Sequence, residues 1–407
     1  MRGQRVVITG MGAVSPYGEG VSALTEGLFR NVCALRTLPE EQRVRDVACA
    51  VAGLVPPVEA RRIPRDIRRA MSPMSVFACL AAWEALEQAG FPPGRPRPRT
   101  GVAVGSTLGS PQALQDFFGE FLGTGGVDGV RSTAFFKVMG HTVAANLAVA
   151  CGCEGRLLAP SAACASGLLG IGLGYEAIAA GRESLMLCGG ADEFHALTAA
   201  TFDRLGAASH AVDPQRASRP FDRARDGMIC GEGAGILLLE SLDSAMSRGA
   251  AVLAEVAGFA AVTSPASIAH PDAASIRECM ERALDDAGLR AGDIGYVNAH
   301  ATGTEHGDVA EGRAVAAVWG RNVPVSSLKG HLGHTMAASG ALETIACVEM
   351  LLRRACLPTL HLASPDPQCG ELRHAMEQSP LRDAPLLKNC FALGGCNTSV
   401  VITPFHI

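Results

Sequence analysis

The chain has 407 residues, 48% of them hydrophobic and 18% charged, which excludes a disordered protein, since those combine low hydrophobicity with high charge. Its net charge of −5 excludes the basic excess of a nucleic-acid binder, and no run approaches the roughly 18 apolar residues of a membrane span. At roughly 100–200 residues per domain, the length fits two domains or two fused halves.

Residues 5–9, stopped by Gly10, predict a buried first strand rather than a signal peptide. Helices are predicted over 21–29 and over 74–89, the latter closed by Gly90. Residues 92–98 (PPGRPRP) predict a surface loop. Then follow a strand at 100–105, helices at 137–149 and 165–180, and strands at 184–190 and 235–240. A second series has strands at 251–257, 294–298, 323–327, 388–393 and 398–403, with helices at 274–287, 308–319 and 337–352. This alternation predicts an α/β fold with mostly parallel pairing. The two series predict two similar halves, 1–245 and 246–407.

There are 14 cysteines and no export signal, which predicts reduced thiols in the cytoplasm. The close pairs Cys151/Cys153 and Cys390/Cys396 lack zinc-site spacing. Most of these thiols read as small core hydrophobes. Cys164 differs. Residues 161–167 (SAACASG) lead directly into a predicted helix, whose positive end favours a thiolate, although a buried core cysteine is the simpler alternative.

Three other segments carry chemistry. Residues 298–304 (NAHATGT) place His300 at a strand end, where α/β proteins bind ligands, unless it is a satisfied structural histidine. Residues 326–335 (SSLKGHLGHT) put Lys329, His331 and His334 in a glycine-rich loop that could equally be solvated. The Gly394-Gly395 step in residues 389–397 lets backbone N–H groups approach a ligand, or makes a bulge or hairpin turn. Gly231, Gly233 and Gly235 precede a strand rather than a helix, so a dinucleotide-binding reading fails. Together, a cysteine can carry an acyl group as a thioester, and two histidines can donate hydrogen bonds to a thioester enolate.

In this order, from Val6-Val7-Ile8-Thr9-Gly10-Met11-Gly12 to Asn397, the segments resemble the β-ketoacyl-acyl carrier protein synthases, the elongating ketosynthases of type II fatty acid and polyketide systems. The resemblance implies a thiolase-type fold of two similar βα halves in a layered α-β-α-β-α architecture. It implies a cytoplasmic homodimer, or a heterodimer with a chain-length factor-like subunit. Cys164 is then the acyl-accepting nucleophile, His300 and His334 the pair supporting malonyl decarboxylation, and Lys329 the active-site lysine with Glu343 as its acidic partner. Thr302 and Thr304 match threonines that contact the phosphopantetheine arm. The amides of Cys164 and Leu393 match the oxyanion hole, and Met228, Phe391 and Leu393 line the substrate pocket. No metal or organic cofactor is implied; the substrates ride on the phosphopantetheine of acyl carrier protein.

Some positions depart from the family pattern. The usual Phe-Gly-Phe-Gly-Gly loop is Phe391-Ala392-Leu393-Gly394-Gly395, so Leu393 replaces a gating phenylalanine. Met228 stands where a large aromatic is frequent, and Ala301 replaces a glycine. These changes are either neutral drift between apolar residues of similar size or a smaller gate that admits rigid or conjugated chains, and the loops resemble those of aryl polyene condensing enzymes. Acidic carrier proteins require a basic patch on an acidic enzyme. Arg61, Arg62, Arg65, Arg68 and Arg69 form one, with docking expected at Arg65, Arg68 and Arg69, unless the run is only a solvated helix face. A coenzyme A-dependent thiolase or initiating synthase is disfavoured by the histidine pair. A non-catalytic chain-length partner is disfavoured by Cys164.

Overall fold

A computed structural model describes residues 3–92 and 98–406, so most of the expected 92–98 loop lies outside the described residues. The first half contributes strands β1 (Val6–Ser15), β2 (Gly101–Gly105), β3 (Leu157–Leu158), β4 (Leu185–Asp192) and β5 (Gly233–Ser241). The second contributes β6 (Ala254–Thr263), β7 (Tyr296–Asn298), β8 (Pro324–Ser326), β9 (Leu386–Phe391) and β10 (Cys396–Thr403). Their sheet orders are β1-β5-β4-β2-β3 and β6-β10-β9-β7-β8. Both follow first–fifth–fourth–second–third. In both, the first two pairings are antiparallel and the next two parallel. The expectation of mostly parallel pairing is therefore corrected to an even mixture, because the last strand of each series inserts antiparallel beside the first. Strands β1 and β6 pair through Val6–Ile8 and join the halves edge to edge.

Two helices lie between the halves. α3 (Ser166–Ala179) and α6 (Ser339–Arg353) pack on each other and on strands of both series. α1 (Pro73–Gln88) and α2 (Thr142–Cys151) cover the outer face of the first half. α4 (Ala273–Ala287) and α5 (Glu305–Trp319) cover that of the second. The result is five layers. The run Ile236-Leu237-Leu238-Leu239 in β5 is apolar throughout because both its faces are buried. Leu237 and Leu239 face the central helices, while Ile236 and Leu238 face the outer pair.

Three local expectations change. β1 does not stop at Gly10 but continues to Ser15 past a bulge, and Gly10 serves packing instead. An ideal Cβ there would sit 2.0 Å from the carbonyl oxygen of Ala85 in α1. The helix expected over 137–149 is two helices, Ser132–Val138 and α2, bent by 107° across the Gly140 break. The helix Pro111–Thr124 was not anticipated. Among the described residues, no single helix is long and apolar enough to cross a membrane.

The central helices meet through glycine. An ideal Cβ on Gly167 would lie 2.2 Å from the carbonyl oxygen of Ala337, and one on Gly340 would lie 2.7 Å from the amide nitrogen of Leu168. A methyl group at Gly167 must force the layers apart. Gly167→Ala is expected to cost about 1–3 kcal/mol in chemical denaturation, as overpacking does. Gly119→Ala, in open space inside the helix Pro111–Thr124, is expected to gain about 0.5–1 kcal/mol. Equal shifts for the two variants would refute the close-contact account.

Candidate active site

Cys164 is placed by a strained turn. Ala163 has φ 46°, in the left-handed region, and opens the 3-10 turn Ala163–Ala165 that feeds α3. Ser166 Oγ accepts from the Ala162 N–H at 2.8 Å and donates to the Ala163 carbonyl at 2.7 Å, holding the turn. The second half repeats this device. Met336 has φ 53° and opens the 3-10 turn Met336–Ala338 before α6. Ala337 thus stands where the first half has Cys164, with a glycine three residues later in each case. Non-glycine residues in such conformations cluster at functional sites.

The environment of Cys164 overturns one expectation. Its thiol is buried, and burial pushes its pKa up to about 12; nearby Cys390 adds to the rise and Lys329 opposes it. Desolvation outweighs the helix end, so the resting group is a thiol. A second thiol was missed in the sequence. Cys390, on β9, donates to the Cys164 carbonyl at 3.1 Å and lies 3.5 Å from His300 Nδ1. It had read as packing because it lies inside an apolar strand.

His300 follows β7. Its N–H and that of Ala301 donate to the two oxygens of Glu311 on α5, at 2.8 and 2.6 Å. His334 is fixed by its backbone, which donates to Ile229 at 2.7 Å and accepts from Gly231 at 2.8 Å. The two rings stand 5.1 Å apart at 84°. The Phe391 ring lies 6.1 Å from that of His300. Burial, with help from Lys329, holds His334 down at about 3, and burial keeps His300 well below the usual histidine range. Both are neutral imidazoles. Neither ring nitrogen of His334 has a hydrogen-bond partner among the described residues, although the ring is buried. An imidazole without internal partners has both ring nitrogens available to a ligand. His331 turns away instead, toward Asn31.

Behind the histidines lies a buried ion cluster. Lys329 Nζ is 2.8 Å from Glu343 Oε1, which also accepts from Ser339 Oγ at 2.7 Å. Lys388 Nζ is 2.6 Å from Glu343 Oε2. Burial alone would raise Glu343, but the two lysines hold it down at about 2. Lys388 was also missed, although a lysine between Leu387 and Cys390 in a strand was itself a signal, since buried lysines need partners.

The remaining positions divide. The Thr302 and Thr304 hydroxyls lie 3.0 Å apart around Gly303, whose φ is 84°. Leu393 is 45% exposed at the tip of the β9–β10 hairpin, so the hairpin reading of Gly394-Gly395 holds. Met228 packs into a small core with Leu35, Phe202 and Met336. Arg65 and Arg69 are exposed and form no ion pair among the described residues. Arg68 is half-buried and donates to the Ala60 carbonyl at 2.8 Å, so its first role is structural.

The family model for the beta-ketoacyl synthase N-terminal domain matches residues 3–245, and that for the C-terminal domain matches 253–363. A putative polyketide beta-ketoacyl synthase 1 of Streptomyces halstedii is 34% identical, covering 98% of each chain. The 3-oxoacyl-[acyl-carrier-protein] synthase 2 of Vibrio cholerae is 33% identical, covering 98% of this chain and 99% of its own. The crystal structure of a beta-ketoacyl synthase from Burkholderia phymatum STM815 superposes with a TM-score of 0.95 at 39% identity, covering 99% of this chain and 100% of that one. The ishigamide ketosynthase/chain length factor does so with 0.92 at 29%, with the same coverage. A buried thiol on a strained turn, two facing imidazoles and a buried lysine–glutamate pair, set in a five-layer fold with a repeated strand order, agree with these matches: the chain belongs to the beta-ketoacyl synthase family.

Proposed function

We propose that the chain performs the decarboxylative Claisen condensation of an acyl group on Cys164 with malonyl-acyl carrier protein, giving a 3-oxoacyl-acyl carrier protein two carbons longer. The observation that carries this reading is the pair of neutral, facing imidazoles beside a buried thiol, with His334 unsatisfied. In the first half-reaction Cys164 Sγ attacks the carrier thioester. The carbon–sulfur bond to pantetheine breaks, and the thiol proton passes to the departing sulfur through a buried imidazole. In the second, the malonyl carboxylate leaves as carbon dioxide. Its electron pair becomes an enolate whose oxygen accepts hydrogen bonds from His300 and His334. The enolate carbon attacks the acyl carbonyl, whose oxyanion the Cys164 and Leu393 amides hold. Collapse releases the product and expels the Cys164 thiolate, which takes up one proton from water to restore the thiol. Lys329 and Glu343 fix the floor of the site, and Thr302 and Thr304 guide the pantetheine arm.

The division at residue 245 assigns the nucleophile to one half and both histidines to the other, a reading supported by the repeated strand order. Leu393, in place of the family's usual gating phenylalanine, makes a smaller gate that favours rigid acyl chains. Arg65 and Arg69 would meet the acidic carrier protein in the cytoplasm. The exposed apolar side chains Phe118, Phe121, Leu122, Phe135 and Phe136 favour a dimer, either with a second copy or with a chain-length factor-like subunit.

Intact-protein mass spectrometry after incubation with acyl-carrier thioesters is expected to show one acyl group on the wild type and on Cys390→Ala, and none on Cys164→Ala. An adduct that persists in Cys164→Ala rules out the mechanism. Steady-state assays of the Arg65→Glu/Arg69→Glu variant should give a KM for the carrier-bound substrate raised about tenfold, equivalent to about 1.4 kcal/mol, with turnover of a small pantetheine thioester unchanged. An unaltered KM at physiological salt removes the docking assignment. Sedimentation should find a two-chain particle that Phe121→Asp/Leu122→Asp converts to one chain; the same particle size in both counts against this dimer face.

A further inference from the structure

Strand β9 brings a second cation to the ion cluster. Lys388 is fully buried, faces the Glu343 oxygen opposite the one held by Lys329, and donates to the Asn389 backbone carbonyl. The Asn389 side chain donates to Glu311 Oε1 at 3.2 Å, and its own carbonyl accepts from Ser399 Oγ at 2.8 Å. Glu311 grips the N–H groups of His300 and Ala301. One continuous polar path therefore runs from Lys329 through Glu343, Lys388, Asn389 and Glu311 to His300. It joins the loop after β8, helix α6, strand β9, helix α5 and the loop after β7. Lys329 alone would balance Glu343. A further buried lysine costs desolvation free energy that only well-placed partners offset.

We propose that Lys388 is a positioning residue for the decarboxylation half-reaction: by tying the Lys329–Glu343 pair to the Glu311 clamp on the His300 loop, it keeps the two imidazoles in one relative geometry. The proposal rests on the assignment of His300 and His334 to enolate stabilisation. Charge supports it. Burial pushes Glu311 up, while the Ala301 and His300 N–H groups and Lys388 pull it back; the same lysine helps hold Glu343 ionised. Lys388 touches no reacting atom in this account. Its effect falls on the step that needs both donors aimed at one oxygen, and not on acyl transfer to Cys164, which the turn at Ala163 positions separately. Misplacing groups by about 1 Å is enough to cost about 10²-fold in rate.

The test measures the two half-reactions separately in Lys388→Met: acylation of Cys164 by mass spectrometry, and release of labelled carbon dioxide from malonyl-carrier protein by the acylated enzyme. Decarboxylation kcat is expected to fall at least tenfold, with KM for malonyl-carrier protein and the acylation rate within twofold of wild type. Lys388→Arg, which keeps a cation beside Glu343, should recover decarboxylation to within threefold. If Lys388→Met does not fold, Lys388→Gln provides the neutral variant, with the same expected split. An equal fall in both half-reactions, or none, overturns the proposal, because a merely structural lysine changes both together. His334→Ala tests the underlying assignment separately: retained decarboxylation there defeats the histidine reading, whatever Lys388→Met does.

Discussion

The contact between α3 and α6 is the constraint on which the rest of the molecule depends. Two helices can lie this close only where their facing residues lack side chains, and Gly167 and Gly340 meet that condition at equivalent places in the two halves. Each helix is launched from a left-handed residue, Ala163 or Met336, so the two turns arrive back to back. The sheets then have no choice of spacing. Strand ends that carry His300, Asp192 and Phe391 are drawn toward the same point, and Cys164 sits at that point. The Asp192 carboxylate braces the arrangement by accepting from the Ala337 N–H at 2.8 Å and from Thr107.

Because that point is deep, desolvation governs its chemistry. The same burial that raises the thiols of Cys164 and Cys390 to about 12 lowers His334 to about 3. The thiols and imidazoles in the centre are therefore neutral, while Glu343 is kept ionised by direct contact with two lysines. The buried thiols and imidazoles are uncharged at rest, with the fixed charges confined to the neighbouring lysine–glutamate cluster. In the proposed condensation, charge that develops on a bound thioester would meet prepositioned donors without water to reorganise.

Much of this was legible in the sequence because the reactive residues lie at strand ends beside glycine and short polar motifs, where packing gives no reason for them. Cys164, His300, Lys329 and His334 could each be singled out in this way, and Glu343 entered through the family pattern. Lys388 offered only the hint of a charge inside an apolar strand, LLKNCF, and Cys390 not even that, since a period-two pattern shows only that alternate residues face the same layer. Their meaning comes from which layer they face, and that is set by tertiary pairing. Gly10 misled for a related reason. A glycine reads locally as a stop, but here it clears space for a helix seventy-odd positions away in the chain. Antiparallel insertion of the fifth strand in each half was likewise invisible, because strand direction leaves no trace in hydrophobic periodicity. Arg68 looked like its exposed neighbours until the Ala60 carbonyl gave it a partner.

The equivalence of Ala337 and Cys164 has a consequence for how a reactive atom is kept still. A lone strained turn would have to be stiffened by unrelated surroundings. Here the turn bearing sulfur is gripped by its own structural copy, which carries only a methyl group and has no chemistry to protect. The repeated turns form a matched jaw: one side carries sulfur, the other only a methyl group, and the fit between them is self-consistent because both sides have the same backbone turn.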